Sequence, residues 1–214
     1  MQAVLFDLDN CLSAADEIGA DLFEPAFVAI RAASRQSHSE RALAAAFADI
    51  WRHALDWVAA EHHFTPAMRE AAWTQLSQLQ VTTLMYGYDD LHLLAQVPAA
   101  RFLVTSGFHR LQESKIRALG ISDHFKGIYI DAIDAADRIG KRGIFKQIMS
   151  SHDLAPADVW VVGDNPESEL AAAQSLGLRS VQMLRTGVPR SDCAKHHVSG
   201  LGELIELIES TMRA

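Results

Sequence analysis

Short apolar runs separated by helical patterns extend along most of the chain. The runs are rich in Val, Ile, Leu and Phe, which is typical of strands that are buried on both faces of a parallel sheet. Five runs predict strands at residues 3–6, 102–105, 128–130, 159–162 and 180–183. From the second run onward each strand is followed by a helical pattern. This alternation predicts an α/β fold with a Rossmann-like parallel sheet.

Periodic positions and capping residues predict the helices that connect these strands. Two of the helical faces consist of Leu111, Lys115, Ile116 and Leu119, and of Ile144, Phe145, Ile148 and Met149. Gly120 suits the position just past the end of the first of these helices. A third helix is predicted to have Asn165 as its N-cap and Pro166 as its first residue, and to run to Leu176 before Gly177.

The segment after the first strand has a different pattern, because residues 13–80 contain no convincing strand. A helical stripe there is formed by Leu43, Phe47, Ile50, Trp51, Ala54, Leu55 and Val58. Thr65 and Pro66 begin another helix, and the stretch YGYDD at residues 86–90 marks the return to the core. We therefore predict an α/β core domain from residues 1–12 and 86–214, and an α-helical cap domain from residues 13–85. An insertion at the carboxyl end of a strand covers the edge where open α/β sheets bind ligands.

Composition and charge narrow the function classes. The 214 residues are 49% hydrophobic, which is enough for a substantial core, and the net charge is −8. This charge argues against a nucleic acid polymer or an anionic membrane as the main partner, but a bound cation still permits a small anionic substrate. The two cysteines form no disulfide framework, and no apolar run approaches the length of a membrane-spanning helix. No basic region precedes an apolar run at the start, so we expect no signal peptide. We expect a cytoplasmic location, and nothing in the sequence defines an oligomeric state.

The first strand ends in two carboxylates, Asp7 and Asp9, in the stretch LFDLDNC. Residues i and i+2 of an extended chain point to the same side, so both carboxylates project from the end of the strand. Two like charges at this distance are costly unless a cation or a shared proton relieves them. An isolated pair of this kind is also typical of a solvated turn.

Further polar residues follow the other predicted strands. Thr105, Ser106 and Gly107 offer hydroxyls and free backbone amides that suit a phosphate oxygen. Lys141 would neutralise charge, and Asp164 with its neighbouring acids suits a hard cation such as Mg²⁺. Because these positions meet at one edge of one sheet, they supply a nucleophile, a phosphate anchor, a charge neutraliser and a metal site. Phosphoryl transfer needs this combination.

The order Asp-x-Asp, Thr-Ser, Lys and Gly-Asp-x-x-x-x-acid resembles the haloacid dehalogenase-like hydrolase superfamily. The segments FHRLQESKIRALGISDHFKGIYI and LAPADVWVVGDNPESELAAAQSLGLRSVQM are similar to the family's second and fourth motif regions. The helical insertion resembles its C1-type cap. The nearest similarity is to small phosphatases of the phosphoglycolate phosphatase and pyrimidine nucleotidase kind.

The resemblance implies a Mg²⁺-dependent phosphatase that acts on a small phosphate ester through an aspartyl-phosphate. Asp7 would be the nucleophile and a metal ligand. Asp9 would protonate the leaving alcohol, activate water and ligate the metal through its backbone carbonyl. A dehalogenase needs no such acid, because a halide leaves without a proton. The remaining implied roles are phosphate binding by Thr105, Ser106, Gly107 and Lys141, metal binding by Asp164, and support of the metal site by Glu169.

Several alternatives remain open at this point. Lys146 competes with Lys141 for the role of active-site lysine. Cys11 stands where the family usually has Thr or Val, which favours packing over a catalytic thiol. A phosphomutase would use the same Asp nucleophile to move the phosphoryl group within a sugar phosphate. A phospho-signalling receiver domain and an inactive scaffold fit the order and completeness of the motifs less well. The sequence does not specify which phosphate ester is the substrate.

Overall fold

Strand β1 (Ala3–Phe6) is fully buried and lies inside a six-stranded sheet. The computed structural model describes residues 2–35 and 37–213. The other strands are β2 (Ala100–Gly107), β3 (Gly127–Ala132), β4 (Val159–Gly163), β5 (Arg179–Met183) and β6 (His196–Val198). Their order is β3-β2-β1-β4-β5-β6, and each neighbouring pair is parallel. The predicted α/β class is therefore confirmed. The order changes direction at β1, where open α/β sheets form a ligand crevice.

Helices cover both faces of this sheet. The helices are α1 (Glu24–Ser34), α2 (Glu40–Asp49), α3 (Leu55–Glu61), α4 (Pro66–Leu76), α5 (His109–Leu119), α6 (Gly140–Ser151), α7 (Glu169–Ser175) and α8 (Leu201–Arg213). Side chains alternate between the two faces of a strand. Val4 and Phe6 accordingly pack in one apolar cluster with α5 and α8, and Ala3 and Leu5 pack in another with α6 and α7.

Helices α1–α4 form an apolar cluster of their own. Its buried members include Phe23, Ala26, Ile30, Leu43, Phe47, Val58, Phe64, Met68, Ala72 and Leu76. Phe108 and Leu111, at the start of α5, pack into the same cluster and so join the helices to the end of β2. The four helices fall within residues 13–85, and their assignment to a separate cap domain stays a prediction.

The structure departs from two sequence predictions and contains one strand that was not predicted. The stripe at residues 43–58 is divided between α2 and α3, because residues 50–54 form a turn rather than a helix. The helix predicted to start at Pro166 starts at Glu169, since the Asn165 side chain accepts the Glu167 amide in a local turn at 2.9 Å. Strand β6 was not predicted, because three residues that include two histidines give almost no periodic signal.

Arg185 binds the segment at residues 86–90, where the chain returns to the α/β core, through Asp90. Its guanidinium donates to both Asp90 carboxylate oxygens at 2.8 and 2.9 Å and to the Cys11 carbonyl at 3.1 Å. Asp90 also accepts the Leu201 amide at the start of α8, at 2.7 Å. Burial tends to raise the pKa of Asp90, but these hydrogen bonds outweigh it and the pKa is lowered.

We expect Arg185→Met to lower the free energy of unfolding at neutral pH by about 2–3 kcal/mol, because it leaves a partly buried carboxylate without its cation. A lowered pKa in the folded state gives stability that is present above the unfolded pKa and is lost as the pH falls. The difference between variant and parent should therefore shrink in acid. Urea denaturation at several pH values measures it, with Arg213→Met in the exposed pair with Glu209 as the control. An equal loss in both variants would contradict this role for Arg185.

Candidate active site

Three buried acids meet where β1 and β4 end side by side. Phe6 is paired with Val162, and the Asp7 amide donates to the Val162 carbonyl at 2.9 Å. Asp7, Asp164 and Glu169 each offer one carboxylate oxygen, and these oxygens all lie within 4.8 Å of one another. The structure thus brings together three acids that are up to 162 positions apart in the sequence.

Lys141 lies between two of these acids. Its Nζ is 2.9 Å from Asp7 Oδ1 and 2.8 Å from Glu169 Oε2. The first turn of α6 holds this buried lysine at the carboxyl ends of the strands. Lys146 is exposed on the same helix and forms no ion pair within the described part of the chain. The geometry therefore places Lys141, and not Lys146, beside Asp7.

The charges in this cluster do not balance. Burial raises the pKa of Asp7 to about 7, with Lys141 opposing the rise and Glu169 adding to it. Burial, helped by Glu169 and Asp7, raises the pKa of Asp164 to about 8. Burial alone would lower the pKa of Lys141, but the negative charges of Asp7 and Glu169 raise this pKa above the usual lysine value. Three carboxylates face one ammonium, and an all-oxygen donor set with this excess of negative charge fits a hard divalent cation such as Mg²⁺.

Glu169 is held by contacts to both of its carboxylate oxygens. Oε1 accepts the Asn165 amide at 2.6 Å, and Oε2 accepts from Lys141. A Cβ atom on Gly163 would overlap the Glu169 carboxylate, so this close approach requires glycine at the end of β4. The arrangement orients Glu169 beside the other two acids.

Asp9 points towards α5 rather than towards the acid cluster. Its carboxylate oxygens lie 2.8 and 3.0 Å from Lys115 Nζ, and Gln112 Nε2 donates to Oδ2 at 3.2 Å. Lys115 belongs to a helical face that the sequence predicts, but no role in the site was predicted for it. Its position among the apolar residues of that face was the one feature of the sequence that could have indicated a buried, functional lysine.

Thr105, Ser106 and Gly107 lie at the end of β2, next to Asp7. Thr105 is buried, and it contributes to the floor of the cavity described below. The Ser106 hydroxyl donates to Asp131 Oδ2 at 2.9 Å, so its proton is directed at the end of β3. The structure brings these three predicted phosphate-binding residues to the same edge as Asp7, and their binding role stays a prediction.

Asp131 and Arg138 were missed by sequence analysis. Arg138 Nε and Nη2 donate to the two Asp131 oxygens at 2.8 and 2.7 Å, and Nη1 contacts Asp56 on α3. Burial tends to raise the pKa of Asp131, but the hydrogen bonds and charge of Arg138 lower it. The sequence does contain a feature that could have identified Asp131, because this acid lies near the end of an apolar run, as Asp7 and Asp164 do. This pair links the end of β3 to α3.

A cavity of about 570 Å³ joins these groups to the helices. Its floor is the sheet edge with Asp7, Thr105 and Lys141. Its apolar wall from the helical segment includes Phe23, Ile50, Trp51, Leu55, Trp57 and Leu76. A polar floor below a largely apolar wall is typical of a site for a small molecule that carries one charged group.

Cys11 lies next to this edge but is fully buried, and its Sγ lies 3.7 Å from the Val162 carbonyl. Burial, together with the nearby Asp7, raises the pKa of the Cys11 thiol well above its usual value. A buried, protonated thiol is a poor nucleophile, and this supports the interpretation of Cys11 as a packing residue.

The parallel sheet and the acidic cluster at its switch point define an α/β enzyme with a site suited to a cation and an anionic substrate. The model of the haloacid dehalogenase-like hydrolase family matches residues 1–177. The chain therefore belongs to that family, which confirms the predicted membership and classifies the protein as a hydrolase.

Individual relatives include phosphatases and dehalogenases. A phosphoserine phosphatase of Thermus thermophilus is 29% identical over 79 residues, which span 37% of this chain and 31% of the relative. A HAD phosphatase structure from Thermococcus onnurineus is 23% identical, covers 97% of this chain and 98% of its own, and has a TM-score of 0.62. The L-2-haloacid dehalogenase of Xanthobacter autotrophicus is 18% identical, with coverage of 98% for both chains and a TM-score of 0.59. These structural similarities support the fold. Among the described residues, no helix is long and apolar enough to cross a membrane.

Proposed function

We propose that this protein is a Mg²⁺-dependent phosphatase that hydrolyses a small phosphate monoester through an aspartyl-phosphate on Asp7. The observation that carries the proposal is the position of Asp7 at the end of β1, 2.9 Å from Lys141 and clustered with Asp164 and Glu169. Family membership and the phosphatases among the relatives agree with it.

The reaction would proceed in two displacements at phosphorus. In the first, a carboxylate oxygen of Asp7 attacks phosphorus, the bond from phosphorus to the leaving oxygen breaks, and Asp9 gives that oxygen a proton. In the second, water attacks phosphorus, Asp9 takes its proton, and the bond from Asp7 to phosphorus breaks. Inorganic phosphate and the free carboxylate of Asp7 result.

The acids present fit the metal that this chemistry uses. Asp7, Asp164 and the backbone carbonyl of Asp9 would hold Mg²⁺, and Glu169 would orient the site from its bonds to Asn165 and Lys141. When bound, the ion supplies positive charge beside the phosphoryl oxygens. Lys141 neutralises charge on Asp7, and Thr105 with the amides of residues 106 and 107 would bind the phosphoryl group.

Asp9 favours a phosphatase over the dehalogenases with which the chain shares its fold. An alkoxide is a poor leaving group without a proton, whereas a halide needs none. A carboxylate two residues from the nucleophile supplies that proton for an ester. Both cysteines are free thiols, which agrees with a reducing compartment such as the cytoplasm.

The proposal is tested with a panel of sugar phosphates, phosphoglycolate, phosphoserine and nucleoside monophosphates, assayed with Mg²⁺. We expect release of inorganic phosphate from at least one of these esters. An isomerised sugar phosphate without free phosphate would assign the protein as a mutase. No turnover of any ester would contradict the proposal.

Binding of Mg²⁺ should also be visible without substrate. We expect the ion at 100 times its dissociation constant to stabilise the protein by about 2.7 kcal/mol, because it relieves the repulsion among the buried acids. Differential scanning calorimetry with and without Mg²⁺ measures the shift in Tm. Asp164→Asn should remove most of the shift, and the exposed acid in Asp123→Asn should leave it unchanged. An undiminished shift in the Asp164 variant would place the ion elsewhere.

A further inference from the structure

Helix α5 carries two side chains that no motif assigned to the site. Lys115 and Gln112 are both buried, and both contact the Asp9 carboxylate. We propose that these two residues position Asp9 for proton transfer, and thereby determine how strongly the rate depends on the leaving group. The inference rests on the proposed function, because it assigns Asp9 the acid–base role.

The backbone around Asp9 does not fix the orientation of its side chain, so that orientation depends on the residues that contact the carboxylate. Asp9 lies beyond the end of β1, in a turn where Asn10 has a φ of +55° and the next three amides all donate to the Leu8 carbonyl. No helix encloses this residue, and the Asp9 side chain is 21% exposed. Both of its oxygens are nevertheless engaged by Lys115, whose side chain is 5% exposed. Lysine is rarely buried unless it is paired, so this contact is a fixed part of the structure.

Gln112 ties Asp9 to the phosphate-binding end of β2. Its Nε2 donates both to Asp9 Oδ2 and to the Ser106 carbonyl, at 3.2 and 3.0 Å. A Cβ atom on Gly107 would lie 2.7 Å from this nitrogen, and Gly107 has a φ of +148°, so only glycine leaves room for the side chain. The carboxyl that moves the proton and the backbone expected to hold the phosphoryl group are thus joined by one amide.

The two contacts suit both steps of the reaction. With Asp9 protonated, Lys115 can donate to the carbonyl oxygen while the hydroxyl faces the leaving group. With Asp9 ionised, the same ammonium faces the carboxylate as water approaches. The Lys115 ammonium contacts the Asp9 carboxylate, so Lys115 acts through Asp9 and is a positioning residue. A buried ammonium that only filled space would affect all esters alike.

Two phosphate esters of similar shape distinguish a Lys115 that positions Asp9 from a Lys115 that only fills space. Phenyl phosphate releases a more basic oxygen than p-nitrophenyl phosphate does, so its cleavage depends more on a proton from Asp9. We expect Lys115→Met to lower kcat/KM for phenyl phosphate by about 100-fold and for p-nitrophenyl phosphate by less than about 10-fold, within the range that one acid–base group contributes. Arg117→Met is the matched control, because Arg117 is an exposed cation on the same helix, paired with Glu113. It should change neither value.

The Asp9→Asn variant completes a cycle with Lys115→Met. If Lys115 acts through Asp9, the double variant loses no more activity than Asp9→Asn alone. Gln112→Leu makes the same comparison should Lys115→Met fail to fold, which thermal denaturation shows. Equal losses with both esters, or additive losses in the cycle, would overturn the positioning role. Absence of phosphate release by the parent enzyme would instead overturn the proposed function itself.

Discussion

Replacing Asp7 by asparagine is expected to lower kcat by at least about 10³-fold for any phosphate ester that the protein hydrolyses. The amide keeps the size of the side chain but cannot attack phosphorus to form the acyl phosphate. It also removes one oxygen ligand from the cluster with Asp164 and Glu169. Steady-state release of inorganic phosphate measures the effect.

The fold should survive this change, because Lys141 keeps its contact with Glu169. Asp16→Asn, an exposed acid nine residues along the chain, is the control and should retain full activity. Full activity in the Asp7 variant would exclude Asp7 as the nucleophile, and the proposed mechanism with it.

Replacing Lys141 by methionine is expected to impair both activity and stability. Three buried carboxylates would then face no cation, and removal of one partner from a buried ion pair costs about 3–5 kcal/mol. Loss of charge neutralisation beside the nucleophile should lower kcat by about 10²–10³-fold, as for a single electrostatic contact to the reacting group. Calorimetry and phosphate release measure the two effects.

Lys146→Met provides the matched control, since Lys146 is exposed on the same helix. It should change neither the Tm nor kcat. Added Mg²⁺ should restore part of the lost stability of the Lys141 variant, because the ion brings positive charge back to the same acids. The reverse pattern, with Lys146 essential and Lys141 dispensable, would contradict the site described above.

The parallel sheet was predictable from sequence because its strands are buried on both faces. Runs such as residues 159–162 then contain almost no polar residue and stand out from the amphipathic helices between them. A run of apolar residues does not reveal β6, because a strand of three residues is too short to show a period. It also failed at residues 50–54, where the apolar stripe continues although the helix does not. That turn lines the cavity, so its apolar side chains serve the wall of the site as well as the helical cluster.

The acids of the site were predictable for a related reason. A carboxylate that directly follows an apolar strand, as Asp7 and Asp164 do, can be recognised from the sequence. The partners of those acids cannot, because a lysine or glutamine within a helix gives no sign of which loop it faces. Lys115 contacts Asp9, which lies 106 positions away in the sequence, and Arg138 joins Asp131 to α3. Such contacts depend on the tertiary packing of α5 and of the loop after β3.

We propose that Asp7 carries the phosphoryl group during turnover, and this intermediate can be trapped chemically. Enzyme that is quenched during steady-state hydrolysis can be treated with borohydride, which reduces an acyl phosphate to the alcohol, and digested for tandem mass spectrometry. We predict that the peptide that includes residue 7 contains homoserine in place of Asp7, and that this product is absent when substrate or Mg²⁺ is omitted. Phosphate release with an unmodified Asp7, or with the reduced residue at another position, would contradict it.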